Sequence, residues 1–260
     1  MLAYYSMAAD QEFWSEHWGG QSAEALLVIA RTSQLAEILA RSLPGHGRVL
    51  EAGCGLGQYV LLLRERGWAA VGVDWSQTAL AACRNFRPAP LAAMNLRGLA
   101  VHDGAFAAYV SLGVVEHDPE GPDAILAEAR RVLSPGGVAL VSVPYLNTVR
   151  RVAAPWISHR NRAIRSAGGC FYQYVFSRRE LVATLVRHGF LVRSLHQYGA
   201  AYFLRRLLPA AVRPAFRGEQ RTDMNSRCTA DLRSLARRLL YKDWAGRMLG
   251  HMLLAVAVKP

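Results

Sequence analysis

The sequence predicts an α/β domain built on a parallel β-sheet. Short apolar segments alternate with segments in which apolar residues recur at helical spacing, an order of elements typical of a parallel sheet. A glycine-rich loop at 51–57 follows the first apolar strand and precedes a helix. With 260 residues, of which 52% are hydrophobic, the chain is long enough for one such domain with a full core. We therefore expect a single domain over 1–260.

The predicted elements run from a leading helix to a final strand. We expect strands at 48–51, 69–73, 91–94, 106–112, 138–143, 190–197 and 252–258. We expect helices at 22–41, 58–66, 76–84, 122–133 and 177–188, with two further helical pieces inside 203–247. Residues 145–176 lack a clear period and are predicted to form an irregular insertion.

Composition limits the classes of protein to which this chain can belong. No segment reaches the roughly 18 uninterrupted apolar residues of a membrane-spanning helix, and Met1–Asp10 has no signal-peptide pattern. The four cysteines form no CxxC pair, so we expect no metal site and a reducing, cytoplasmic compartment. They are Cys54, Cys83, Cys170 and Cys228. The net charge of +12 suits nucleic acid, an anionic membrane or a phosphorylated substrate, and the arginine usage of a GC-rich genome explains it equally well.

The glycine loop reads Glu51-Ala52-Gly53-Cys54-Gly55-Leu56-Gly57. A strand, a glycine loop and a helix together present backbone N–H groups and a helix N-terminus to a ligand. The dinucleotide fingerprint G-x-G-x-x-G fails in both registers, because Gln58 and Val60 stand where it needs its third glycine. The carboxylate of Glu51 would also repel a pyrophosphate. The spacing therefore indicates a ligand other than a dinucleotide.

The loop instead resembles E/D-x-G-x-G-x-G, the first motif of class I S-adenosylmethionine-dependent methyltransferases. That cofactor carries a sulfonium and an ammonium but no phosphate, which suits the carboxylate of Glu51. Further segments resemble the small-molecule branch of the family, similar to the ubiquinone and natural-product methyltransferases. They are Met94–Leu99, Asp103–Phe106, Ser111–His117, Leu133–Gly137, Gly189–Phe190 and Gly250–Met252. The resemblance covers about 48–200 and 248–260.

This resemblance implies a Rossmann-like sheet of seven strands in the order 3-2-1-4-5-7-6, with strand 7 antiparallel and helices on both faces. It implies S-adenosylmethionine as cofactor and S-adenosylhomocysteine as product. Asp74, 21 residues after Gly53, can accept both ribose hydroxyls. Asn95 stands where the family has its adenine-contacting aspartate, and its amide oxygen can accept the same hydrogen bond. The implied cofactor-binding residues are Glu51, Ala52, Gly53, Cys54, Gly55, Gly57, Asp74, Trp75, Asn95, Leu96, Leu112 and Gly113.

Catalytic residues are harder to identify. Methyl transfer is a displacement at an activated carbon, so positioning supplies much of the acceleration and a general base is needed only for a protonated acceptor. His117 follows the fourth strand near the expected methyl position and is the best candidate base, although Glu116 and His117 could equally shape the loop. Tyr145 and Asn147 follow the fifth strand, where either could orient an acceptor.

Three segments could cover the acceptor. Residues 1–21 are rich in aromatics, including Tyr5, Trp14 and Trp18, and are predicted to form a lid or else to pack on the sheet edge. Residues 145–176, with Tyr172 and several arginines, and residues 199–247 are predicted to form a substrate cap. Among these arginines, Arg160, Arg162 and Arg165 could hold a phosphate or carboxylate of the acceptor or lie on a solvated surface. The basic amphipathic stretch 202–217 could contact an anionic membrane and reach a lipid-linked acceptor, or pack as a surface helix.

The sequence thus predicts methyl transfer to a small-molecule acceptor, with oxygen favoured over nitrogen or carbon. An RNA or protein methyltransferase is one alternative, although Ser111–Val114 stands where amino-methylating nucleic-acid enzymes carry N-P-P-Y, and no RNA-binding module accompanies the domain. A catalytically silent protein that binds S-adenosylmethionine is the other alternative. The oligomeric state stays open.

Overall fold

A mixed seven-stranded sheet lies at the centre of the computed structural model, which describes residues 1–7, 18, 20–207 and 243–260. The strands among these residues are β1 Leu2–Ser6, β2 Arg48–Ala52, β3 Ala69–Asp74, β4 Leu91–Ala93, β5 Phe106–Leu112, β6 Leu133–Pro144, β7 Cys170–Val175, β8 Leu191–Tyr198 and β9 Met252–Val258. The large sheet has the order β4-β3-β2-β5-β6-β9-β8, and β1 pairs with β7 in a separate two-stranded sheet.

The direction of the strands confirms the predicted fold class. Neighbouring strands from β4 to β6 are parallel. In contrast, β9 is antiparallel to both β6 and β8. With the strands of the large sheet counted in chain order, this is the arrangement 3-2-1-4-5-7-6 with strand 7 antiparallel.

Helices cover both faces of this sheet. The α-helices among the described residues are α1 Ala23–Arg31, α2 Gln34–Ser42, α3 Gln58–Glu65, α4 Gln77–Phe86, α5 Asp123–Val132, α6 Thr148–Val152, α7 Ala154–Ser166, α8 Arg178–Arg187, α9 Ala200–Leu207 and α10 Asp243–Leu249. Successive residues of a strand face opposite sides of a sheet. Accordingly, Val49 of β2 packs in a core with α2, α3 and α4, whereas Leu50 packs in a core with α5 and α8.

Two predictions of local structure were wrong. The helix expected over 22–41 is two helices, because Ser33 accepts a hydrogen bond from the Ala36 N–H at 3.1 Å and begins α2 as its N-cap. The segment 145–176 is not irregular, because it contains α6, α7 and β7. The strand β7 finds its partner in β1, more than 160 residues away in the chain, so no local pattern reveals the pair.

The two-stranded sheet is fixed to α7 through Asn161. Its side-chain oxygen accepts from the Tyr5 N–H at 3.3 Å, and its amide donates to the Ala3 carbonyl at 2.5 Å. The N-terminal strand is thereby fixed to the segment that follows β6. Of the two helical pieces expected inside 203–247, the structure describes Tyr202–Leu207 within α9 and all of α10, and residues 208–242 lie outside the described part.

The helices of the described residues include none that is both long and apolar enough to cross a membrane. The same residues contain no group of three or more His, Cys, Asp or Glu side chains that could hold a metal ion.

Candidate active site

The glycine loop connects the carboxyl end of β2 to the N-terminus of α3. The N–H groups of Gly53 and Cys54 both donate to the Val73 carbonyl, at 2.8 and 3.0 Å, which holds the loop against the end of β3. Gly53 has φ +78° and Gly55 has φ +51°, a left-handed conformation that favours glycine. The loop therefore needs these glycines for its backbone path.

Two neighbouring side chains also require glycine in this loop. A methyl group on Gly53 would lie 2.4 Å from the Val114 side chain, and one on Gly55 would lie 2.7 Å from the Trp18 ring. Trp18 thus contacts the loop, and the role of residues 1–21 as a lid stays a prediction. Tyr5 lies farther away, in β1, with its ring edge-on to Phe171 of β7 at 6.1 Å. Trp14 lies outside the described residues.

Glu51 is the unusual group at this loop. Its side chain is buried, and Oε2 has no hydrogen-bond partner among the described residues. Burial, with a smaller contribution from the charge of Asp74, raises the pKa of Glu51 to about 8. A buried carboxyl group with a free oxygen is stabilised by an incoming cation. The ammonium of S-adenosylmethionine fits this requirement.

Asp74 is the last residue of β3 and contacts the same glycine loop. Its Oδ2 accepts from the Gly55 N–H at 2.8 Å and its Oδ1 from the Ser76 N–H at 2.9 Å. Burial raises the pKa of Asp74, and these backbone hydrogen bonds partly offset the rise. Each carboxylate oxygen can accept a second hydrogen bond. Asp74 is therefore fixed in orientation and still able to accept from ribose hydroxyls.

The residues expected at the adenine lie beside Asp74, at the ends of β3 and β4. Trp75 is exposed, with 43% of its surface accessible, whereas Leu96 is buried. Asn95 is exposed, and its side-chain oxygen accepts from the Arg97 N–H at 3.0 Å. That hydrogen bond fixes the Asn95 side chain in the turn and leaves one lone pair of the oxygen for an adenine amino group.

The end of β5 contributes Leu112 and Gly113 and then a short 3-10 helix, Val115–His117. Glu116 in this helix is buried, and its Oε2 has no partner among the described residues. Burial raises the pKa of Glu116 to about 8. A methyl group on Gly113 would lie 3.5 Å from Glu116 Oε1. Glu116 is thus a second buried acid at this edge, and the sequence motif alone did not distinguish it from a packing residue.

His117 is held by the two-stranded sheet. Its Nδ1 lies 2.7 Å from the Tyr172 carbonyl oxygen, which can only accept, so Nδ1 carries the proton. Its Nε2 then holds the lone pair of the neutral ring and lies 3.9 Å from Glu116 Oε1. The rings of His117 and Tyr172 meet edge to face at 5.3 Å. The orientation of His117 suits the acceptance of a proton at Nε2.

Tyr145 and Asn147 have surroundings different from those expected of acceptor-binding residues. Tyr145 packs in the main core with 5% of its surface exposed. Asn147 is fully buried, accepts from the Arg150 N–H at 2.8 Å as the N-cap of α6, and donates to the Gly250 carbonyl at 2.9 Å. The hypothesis that these two side chains touch an acceptor finds no support in these contacts.

We expect Asn147→Ala to reduce the free energy of unfolding by about 2–3 kcal/mol, because it removes a helix cap and leaves the buried Gly250 carbonyl without its donor. Chemical denaturation would measure this loss. Thr148→Ala, on the exposed next position, is the matched control and should change stability little. A stable Asn147→Ala protein with weakened acceptor binding would instead support the role in the acceptor site.

Comparison with known proteins identifies the family that the segment around this site resembles. Residues 50–141 match the family described as "Methyltransferase domain". A curated relative from Mycolicibacterium smegmatis, named "Probable S-adenosylmethionine-dependent methyltransferase", is 35% identical over 97 residues. The aligned segment covers 37% of this chain and 37% of that relative, so the chain matches little more than a third of the relative's length.

Solved structures extend the likeness over most of the chain, at sequence identities that show the fold alone. A chain in the complex between the Haloferax volcanii Trm112 methyltransferase activator and a methyltransferase has a TM-score of 0.62 and 18% identity, covering 98% of each chain. An S-adenosylmethionine-dependent methyltransferase from Archaeoglobus fulgidus has a TM-score of 0.58 and 16% identity, covering 96% of this chain and 100% of that one. Geranyl diphosphate C-methyltransferase from Streptomyces coelicolor has a TM-score of 0.55 and 18% identity, covering 87% and 77%.

The segment that matches the family contains the glycine loop, Asp74 and the turn that carries His117. The structure brings these features together at the carboxyl edge of the sheet order that the family shares. The chain therefore has the fold of the class I S-adenosylmethionine-dependent methyltransferases, and its residues 50–141 match a methyltransferase domain.

Proposed function

We propose that this chain transfers a methyl group from S-adenosylmethionine to a small-molecule acceptor, with oxygen favoured as the methylated atom. The observation that carries the proposal is the buried carboxyl of Glu51 beside the glycine loop, whose Oε2 has no hydrogen-bond partner in the described part of the chain. The solved geranyl diphosphate C-methyltransferase, which acts on a small molecule, has the same fold and supports a small acceptor. We also propose a cytoplasmic location, supported by the free thiols of Cys54, Cys83 and Cys170.

The bound cofactor supplies an electrophilic methyl group on a sulfonium. Glu51 would accept from its ammonium, and Asp74 would accept from its ribose. The adenine would lie between Trp75 and Leu96, within reach of Asn95. The remaining cofactor contacts would come from the loop backbone and from Leu112 and Gly113 at the end of β5.

His117 would act on an acceptor hydroxyl by taking its proton at Nε2, because Nδ1 already donates to the Tyr172 carbonyl. Glu116 Oε1 lies 3.9 Å from Nε2, and in its ionised form this carboxylate would stabilise the imidazolium that results. Trp18 and Tyr172, with the cap segments 145–176 and 199–247, would exclude water from the acceptor. The contact of Trp18 with Gly55 and that of Tyr172 with His117 support this arrangement.

The acceptor class can be tested with S-adenosylmethionine labelled in its methyl group. We expect the purified full chain to bind this cofactor and to transfer label to the low-molecular-mass fraction of a cell extract. Label in the RNA or protein fraction would overturn the small-molecule proposal. Binding of the cofactor without transfer to any fraction would favour a silent binding protein.

We expect His117→Gln to lower the turnover rate about 100-fold or more, the usual contribution of a general base, and to leave the affinity for S-adenosylhomocysteine within about threefold. Steady-state kinetics and calorimetric titration measure the two quantities. His159→Gln, an exposed position on α7, is the matched control. An unchanged turnover rate in His117→Gln would show that His117 is not the base.

A further inference from the structure

Arg150 is a partly buried cation with no carboxylate partner in the part of the chain that the structure describes. Its Nη1 donates to the Tyr145 carbonyl at 2.6 Å and the His251 carbonyl at 3.0 Å, and its Nη2 lies 3.0 Å from His251 Nδ1. Its guanidinium also lies 5.0 Å from the centre of the Phe203 ring. These neutral contacts orient the guanidinium but do not neutralise its charge. A cation in such a position is stabilised by an anion.

His251 adds a donor beside this cation without adding charge. Because an arginine can only donate, His251 Nδ1 accepts from Arg150, and the neutral ring carries its proton on Nε2. Burial and the charges of Arg150 and Arg206 lower the pKa of His251 to about 3. His251 therefore stays neutral at ordinary pH.

Arg206 of α9 extends the cluster toward the proposed acceptor. Its Nη1 donates to the Tyr202 hydroxyl at 3.3 Å, and the Tyr202 ring lies 4.8 Å from the His251 ring. The charge of Arg206 also acts on Tyr172, where it opposes the rise in the pKa of that phenol caused by burial. Tyr172 is the residue whose ring meets His117. The cluster is thus continuous with the residues that would hold the acceptor.

A third arginine approaches the cluster from α7. Arg150 and Arg160 both act on Tyr4 of β1, and their charges oppose the rise in its pKa caused by burial. Among the described side chains, neither Arg150 nor Arg206 has a carboxylate within 4.0 Å. The acid that acts on Tyr172, Glu116, is itself made less acidic by burial. The positive charge here is therefore not balanced by the described residues.

We propose that Arg150 and Arg206 form an anion-binding subsite of the acceptor site, and that the acceptor carries a phosphate or diphosphate group. This inference rests on the proposed methyl transfer. Two guanidinium groups with phenol and imidazole donors nearby match the several oxygens and multiple charge of such a group. From the sequence we expected Arg160, Arg162 and Arg165 to hold an anion, whereas the contacts described above point to Arg150 and to Arg206 of the second cap segment.

The α-carboxylate of the cofactor is the other anion that could reach Arg150. The two ligands can be separated by comparing S-adenosylhomocysteine with 5′-methylthioadenosine, which lacks the carboxylate. If the arginines serve the acceptor, Arg150→Gln and Arg206→Gln should leave the ratio of these two affinities unchanged. A selective loss of S-adenosylhomocysteine binding would assign the arginines to the cofactor and overturn the proposal.

The direct test is a calorimetric titration of inorganic pyrophosphate into the full chain saturated with S-adenosylhomocysteine, at low salt. We expect saturable binding that Arg206→Gln weakens about tenfold and Arg150→Gln weakens at least as much. Arg151→Gln, the exposed neighbour on α6 with the same change of charge, should stay within about twofold. Arg206 is exposed, so its variant keeps the test valid if Arg150→Gln fails to fold.

Two results would overturn the proposal of an anion-binding subsite. Pyrophosphate could fail to bind a protein that does bind S-adenosylhomocysteine, or Arg151→Gln could weaken pyrophosphate as much as Arg206→Gln does. Failure of the proposed function has a different signature, because then S-adenosylhomocysteine itself would not bind.

Discussion

Replacing Glu51 with glutamine should weaken S-adenosylmethionine binding about 100-fold or more while making the cofactor-free protein more stable. The loss follows because a buried carboxylate paired with an ammonium contributes several kcal/mol, and removal of one partner of such a pair costs about 2–5 kcal/mol. The gain follows because Glu51 is buried and, among the residues that the structure describes, Oε2 has no partner to stabilise its charge. Calorimetric titration and thermal unfolding measure the two effects on the same variant.

The pKa of Glu51 determines how the stability gained in Glu51→Gln changes with pH. The pKa of Glu51 in the folded chain is about 8, against an ordinary value of 4.5. Between these two pH values the folded chain binds more protons than the unfolded chain, so stability falls as pH rises through this window. Glu116 contributes in the same direction. The difference between wild type and Glu51→Gln isolates Glu51, and it should be small near pH 5 and largest above pH 8.

Cofactor binding should be coupled to loss of the proton from the Glu51 carboxyl. Because the ammonium favours the ionised carboxylate, binding near neutral pH should release a proton that Glu51→Gln does not release. Calorimetry in buffers with different heats of ionisation measures this release. Glu37→Gln, at an exposed acid of α2, is the control for a lost carboxylate. Parallel stability curves for wild type and Glu51→Gln across the pH range would contradict the buried, unpaired state of Glu51.

The sheet and the cofactor loop could be predicted because their determinants are local. The strand before Glu51, the alternating glycines and the helix after Gly57 follow one another within some twenty residues. The spacing that excluded a dinucleotide is likewise read within this single stretch. The strand order was predicted from the family resemblance. Sequence periodicity predicts where strands lie in the chain but not which strands pair in the sheet.

The acceptor side could not be predicted because its determinants are distant in sequence. His117 is oriented by the Tyr172 carbonyl, and Tyr172 lies in a strand whose partner is at the N-terminus. Asn147 and Tyr145 do follow β6, as expected, but proximity to a strand end did not reveal that the Asn147 side chain caps a helix and that Tyr145 packs in the core. The convergence of Arg150 and His251 likewise depends on β9 lying beside β6.

The second large effect concerns the contact between the glycine loop and the turn that follows β5. Gly53→Ala should reduce the free energy of unfolding by about 2–4 kcal/mol, because it combines a left-handed φ of +78° with a clash against the Val114 side chain. Gly67→Ala is the matched control for the backbone alone. Gly67 has φ +92°, and a methyl group there would meet nothing within 4 Å, so its cost should be about 1–2 kcal/mol.

A double-mutant cycle with Val114→Ala then separates the clash from the backbone strain. In that background the cost of Gly53→Ala should fall toward that of Gly67→Ala, with a coupling of about 1–2 kcal/mol, measured by chemical denaturation. Equal costs for Gly53→Ala with and without Val114 would mean that the loop does not pack on this turn. Because Val114 lies three residues before His117, a measured coupling would link the loop that holds the cofactor to the segment that positions the proposed base.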